Sequence, residues 1–276
     1  MRAANPMFAG VFVEGPDDVE MWRRWLNAVP LPCSGGPGVR RALEDIRQAG
    51  IMGCLGVVDA DFARLGGVQV EDPDIIVSST HDHECDLVCS AALDNLIMSI
   101  PGAEPRLLAL ARPHSHLRDA IRERALQFGL VRWLFYVESA EFPAHLCPGN
   151  DSLFDRSSWT LNRGALFAAA AAALGTDRPE LERRMDALCV PVGREWEVCN
   201  GHDVVSLLRL AFSTIECAAE RCRSEKSVAW ALRSALDSEH LAVFSLWQQL
   251  LAWESRNRPY IAKRQAGVGM VALEGA

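Results

Sequence analysis

A repeated alternation in the first hundred residues constrains this chain most: short apolar runs, each ending in or near acid, are separated by stretches with helical spacing. The first run, "FAGVFVE" at 8–14, stops at Glu14. Gly15 and Pro16 follow, and residues 17–28 carry helical spacing through Val19, Trp22, Trp25 and Leu26. "PLPCSGGPG" reads as a Gly/Pro loop before a second helix at 38–49. "GCLGVVDAD" repeats the first pattern, and "DIIVSST" at 74–80 gives a third strand before a helix from about His83 to Met98. Strands separated by helices of this length need parallel crossovers. The expected fold is therefore α/β, a Rossmann-like parallel sheet with functional groups at the carboxyl ends of its strands.

After "SIPGAEP" the character changes, and residues 115–137, 160–174, 178–189, 203–222 and 227–256 read mainly as helices. "EFPAHLCPGND" reads as a loop or linker. The expected organisation is a core over residues 1–100 and a mainly helical region over 101–276 that makes substrate, partner or oligomer contacts. A net charge of −8 argues against nonspecific polyanion binding over the whole surface, while leaving room for a basic groove. Nine cysteines lack paired spacing, and "MRAANPMFAG" has no secretory apolar core, so a reducing, cytoplasmic setting is expected. The most apolar segment, "GALFAAAAAALG", is shorter than the ~20 residues of a membrane span, so no membrane is expected.

Each strand brings acid to its carboxyl end: Glu14 with Asp17 and Asp18, then Asp59 and Asp61, then Asp82, Glu84 and Asp86 of "THDHECD". In an extended segment Asp59 and Asp61 share one side and Ala60 turns away. Gly15 permits a sharp turn, and the following helix carries Asp18 back toward the strand end. Several carboxylates in one place need a counter-charge, and all-oxygen donors suit Mg²⁺ or Mn²⁺, as one or two ions. Such a site activates water and neutralises charge on a phosphodiester. Taken singly, Asp17 or Asp18 reads as a helix cap and "DAD" as a turn; the repetition at strand ends favours a shared site.

"VFVEGPDDVEMW" followed by "LGVVDADF" resembles the TOPRIM superfamily, whose signature is a strand-terminal glutamate with glycine and a later Asp-x-Asp. Asp18, four residues after Glu14, is similar to the extra acid of the OLD-type nuclease branch. "STHDHECDL" and "NGHDVVSLL" resemble the small TOPRIM effectors of bacterial anti-phage defence, some of which work beside an ATPase partner. The resemblance implies that Glu14 is a metal ligand or general acid/base, that Asp59 and Asp61 hold metal, and that Asp18 and Glu84 complete a two-metal arrangement. The branch also supplies a late lysine to balance phosphate charge; here only Lys226 and Lys263 are available.

His83 and Asp86 are expected to support the ligands or to meet a phosphate. "HDHEC" with Cys85 and Cys89 raises zinc, but no second Cys/His pair stands at a known spacing, and buried free thiols explain the cysteines better. "NGHD" at 200–203 reads as a helix start, with Gly201 in a turn and Asp203 near the cap; a helix N-terminus would alternatively set Gly201 and His202 against a phosphate. Two His-Asp dipeptides suggest a phosphohydrolase, which the strands argue against. Most of the eight tryptophans fall at apolar helical positions; Trp253 is expected to differ, beside a stretch with Arg256, Arg258, Tyr260, Lys263 and Arg264 that meets nucleic acid, docks a partner or is a solvated tail.

The leading expectation is an Mg²⁺-dependent TOPRIM nuclease that cleaves DNA or RNA, tRNA included, as a defence effector controlled by an ATPase partner or by homo-oligomerisation. The alternative is a catalytically silent TOPRIM module that binds nucleic acid or a nucleotide. A primase-like transferase lacks a visible zinc module or partner domain.

Overall fold

The structure, a computed structural model, describes residues 9–68, 70–217, 219–257 and 261–263. The expected strands are present: β1 (Gly10–Val13), β3 (Cys54–Val58) and β4 (Ile75–Val77). An additional strand, β2 (Pro30–Pro32), lies where the sequence suggested a loop, and the sheet is parallel with order β2-β1-β3-β4. Two prolines fit a strand here because β2 is at the edge. Successive N–H groups alternate in direction, so Pro30 and Pro32 lack donors only on the open side. Cys33, two residues beyond Leu31, donates its N–H to Val13 at 2.9 Å. Every residue of β1 and β3 is buried, as the unbroken apolar runs of a parallel sheet require.

The chain divides into two compact units, and the expected division at residue 100 falls inside the second. Of the described residues, the first unit comprises 9–58, 72–76, 249–257 and 261–263. In it α1 (Pro16–Arg23) packs on β1 and β2, and α2 (Gly36–Gln48) packs on β1 and β3. Residues 249–257 and 261–263 complete this unit. Trp253 is 1% exposed and donates its indole N–H to Asp74 at 2.9 Å. Ala262 forms a bridge with Leu26, and the buried Glu254 carboxylate accepts from the N–H groups of Ile261 and Ala262. Trp253 is thus a core residue rather than the exception; Trp230 is the tryptophan that stands out to solvent. Of the basic stretch, Arg258, Tyr260 and Arg264 lie outside the described residues.

Among the described residues the second unit, which falls within 59–71 and 77–248, is mainly helical, with the last residue of β4 and a small hairpin of β5 (Phe154–Asp155) and β6 (Thr160–Leu161). Its helices are α3 (His83–Cys89), α4 (Ala91–Met98), α5 (Ala103–Leu110), α6 (Leu117–Val137), α7 (Arg163–Ala173), α8 (Arg178–Asp186), α9 (Gly201–Thr214), α10 (Glu225–Ala235) and α11 (Ser238–Leu241); α12 (Ser245–Glu254) starts here and ends in the first unit. The single helix expected from His83 to Met98 is two, because Ser90 adopts an extended backbone and its hydroxyl accepts from Ala92 N at 3.1 Å. The helix expected over 227–256 is three, with Asp237 capping the second. A core of Phe128, Leu134, Phe135, Leu166, Phe167 and Leu181 joins α6, α7 and α8. No helix among the described residues is long and apolar enough to cross a membrane.

Candidate functional site

In the first unit β1 ends at Val13 because Gly15–Pro16 turns the chain into α1, with the proline's fixed φ suited to a helix start. Asp18 returns to the strand end as expected, and its carboxylate accepts from Gly15 N at 2.8 Å, closing the turn. Asp17 is exposed. The carbonyl of Glu14 accepts from Gly35 N at 2.9 Å, which holds the start of α2 beside the end of β1. The Glu14 carboxylate lies there too: a Cβ on Gly36 would stand 3.1 Å from Oε1. The positive end of a 13-residue helix favours a carboxylate in that position. β1 and β3 pair with Gly10 opposite Cys54 and Phe12 opposite Gly56. Continuing that register sets Glu14 level with Val58, and the next residue along the chain is Asp59.

In the second unit the residues after β3 do not stay extended. Ala60 turns inward, with its N–H on Ser78 Oγ at 2.8 Å. Asp61 adopts φ +45°, donates its N–H to the His81 carbonyl at 2.7 Å, and has a side chain 71% exposed. The alternation behind the expectation that Asp59 and Asp61 share one side ends here, since it holds only in extended backbone. Asp59 instead faces His83: Oδ1 accepts from His83 N at 3.1 Å and lies 3.4 Å from Nδ1. The other ring nitrogen of His83 is 3.1 Å from Glu84 Oε1, which also accepts from Arg233 Nη2 at 2.5 Å.

Asp59, His83, Glu84 and Arg233 therefore form a line of alternating charge that ends on α10. Burial pulls the His83 pKa down, but Glu84 and Asp59 outweigh it and hold it well above the ordinary value. Burial pushes Glu84 up, while His83 and Arg233 draw it well below the usual carboxylate range. Arg233 escaped sequence reasoning; its only signal is a lone cation in the apolar helical run "SVAWALRSAL".

Other expected residues serve the fold. Asp86 accepts from the N–H and hydroxyl groups of both Ser79 and Thr80, fixing the loop before α3. Asp82 caps α3 through Cys85 N at 2.9 Å and reaches Gly201 N, the start of α9, at 2.6 Å. A Cβ on Gly201 would lie 2.4 Å from Asp82 Oδ1, so only glycine leaves room for this carboxylate. The anion seat proposed for "NGHD" is thus filled by the chain's own Asp82. His202 is exposed, and Asn200 rather than Asp203 caps α9. Asp203 is buried in a two-pronged ion pair with Arg132, at 2.6 and 2.8 Å.

Of the cysteines weighed for zinc, Cys85 is buried with its thiol on the Cys199 carbonyl, whereas Cys89 is exposed. His81 is buried against the Glu197 carbonyl. Lys263 is not set toward a phosphate: its ammonium donates to the carbonyls of Arg23 and Arg24. Lys226 is exposed on the first turn of α10.

The chain matches no protein-family model and no curated protein. Its chemistry rests on its own side chains. Among the described residues no group of three or more His, Cys, Asp and Glu is disposed to hold a metal ion. The carboxylates differ in what they already do. Glu14, Asp59 and Asp61 offer hard oxygens of the type Mg²⁺ takes. Glu84 is engaged by two cations and suits the ligand role less well than they do.

Proposed function

We propose that this chain is an Mg²⁺-dependent hydrolase of phosphodiester bonds in nucleic acid, on a TOPRIM-like sheet, with Glu14, Asp59 and Asp61 each offering a carboxylate to an ion, although no three of the described side chains are set as a ready metal cage. The observation that supports this reading best is the pairing of β1 with β3, whose register sets Glu14 level with the residue before Asp59. When bound, the ion supplies a Lewis acid and an activated water. The chain's residues prepare for it: the start of α2 favours ionised Glu14, His83 orients Asp59, and Asp61 presents its carboxylate to solvent. Asp18 keeps the Glu14–Gly15 turn closed, and Glu84 orients His83. The resemblance to anti-phage effectors extends the proposal to a cytoplasmic defence role under a partner ATPase or self-assembly.

One observation favours a second reading, a silent module that binds nucleic acid or a nucleotide: His83 and Arg233 already balance Asp59 and Glu84 without an ion. One experiment separates the two. The purified protein, with Mg²⁺ or Mn²⁺, is incubated with DNA, total RNA and tRNA beside Glu14→Ala and Asp59→Ala. Cleavage lost in both variants is the expected result, and cleavage surviving in both overturns the site. Metal binding without cleavage of any substrate selects the silent module.

A further inference from the structure

Beside Asp61 the second unit builds an aromatic assembly that metal chemistry does not need. Phe62, the next residue, is buried and stacks on Trp133 with ring centroids 6.5 Å apart and 14° between planes. His81 meets Phe62 edge-on at 4.6 Å, and its Nε2 lies 3.8 Å from Asp61 Oδ1. Tyr136, one turn after Trp133 on α6, tilts against Phe62 at 5.3 Å and is 56% exposed. Asp61 and Tyr136 thus border the same Phe62–His81 pair, one presenting charge to solvent and the other a ring.

We propose that Tyr136, backed by Phe62 and Trp133, is a stacking site for an unpaired nucleobase of a strand whose phosphate lies at Asp61. This rests on the nucleic-acid reading above. A half-exposed tyrosine alone is ordinary. Here its ring leans on a buried aromatic, so little side-chain freedom is lost when a base stacks on it. Base–aromatic stacking needs a free π-face, which a single strand offers and a duplex hides. The position also favours this occupant, because Asp61 and Tyr136 both border Phe62, so a cation at Asp61 would set a strand's phosphate on the side of Phe62 where Tyr136 offers its ring.

The test measures anisotropy of short labelled single-stranded DNA and RNA, a matched duplex and an abasic strand. Ca²⁺ replaces Mg²⁺, and strand integrity is checked on a gel. The expected results are tighter binding of single strands than of duplex, affinity about tenfold weaker in Tyr136→Ala, and retention in Tyr136→Phe. The abasic strand should not distinguish wild type from Tyr136→Ala. Equal affinity of wild type and Tyr136→Ala for the single strands overturns the proposal, as does failure of wild type to bind any strand. So does a Tyr136→Ala variant that loses self-association while keeping its oligonucleotide affinity, which makes the face a protein contact. Asp59-dependent cleavage with binding indifferent to Tyr136 sinks the stacking site alone. Tyr136-dependent binding without metal-dependent cleavage sinks the nuclease alone.

Discussion

His83 is where the chemistry of single residues becomes measurable. Its imidazole sits between Asp59 and Glu84, and the two carboxylates outweigh burial to raise its pKa well above the ordinary 6.5. A raised folded pKa contributes stability that is complete below the unfolded pKa and is lost as pH rises through the folded one. Glu84 has the opposite sign: burial is outweighed by His83 and Arg233, so its contribution is complete above the ordinary 4.5 and fades as pH falls. Unfolding free energy from urea titrations should therefore be flat between about pH 5 and 6.5 and decline on both sides. In His83→Gln the decline on the alkaline side should be smaller. An unchanged alkaline limb in that variant would show that His83 is not the group responsible. The strand-end logic located Glu14, Asp18 and Asp59 from sequence alone. It did not foresee the turn at Asp61, because nothing in "VVDADF" announces a left-handed backbone at the second aspartate.

At the level of elements, long apolar runs were legible and interruptions within them were not. β1 and β3 declare themselves through Val, Phe, Leu, Cys and Gly with no polar residue between them, since burial on both faces demands it. β2 hides because its two prolines look like a loop until the strand is known to be an edge. Ser90 hides because a helix-ending serine reads like any small residue between apolar neighbours. α10 matters for what it carries inward: Arg233 is the buried cation that meets Glu84. Arg233→Ala leaves that carboxylate buried beside His83 alone and should cost about 3–5 kcal/mol. Glu84→Met with Arg233→Met should cost clearly less, because no unpaired charge remains. Equal losses in the two proteins, read from denaturation midpoints, would mean that the pair contributes by packing only.

For the whole molecule, composition and local pattern gave the class but not the course of the chain. The sequence suggested a core ending near residue 100, yet the sheet-bearing unit is finished by residues 249–257 and 261–263. No local signal marks this, because Trp253 and Glu254 look like surface groups at the end of a helix until Asp74, Ile261 and Ala262 are seen to engage them. A fragment of residues 1–100 lacks those partners and should not unfold cooperatively, whereas the full chain should; circular dichroism against urea distinguishes them. A sharp transition in the fragment would show that the sheet and its two helices suffice.

The same interleaving imposes an order on biosynthesis. β1 leaves the ribosome early, but Trp253 and Ile261 are made roughly 240 residues later, some twelve to fifty seconds at ordinary elongation rates. By the end of that interval the whole of residues 59–248 has been translated, while the nascent sheet still lacks its closing segment. The first strands made are among the last to be sealed, which gives a chaperone its natural window on this chain.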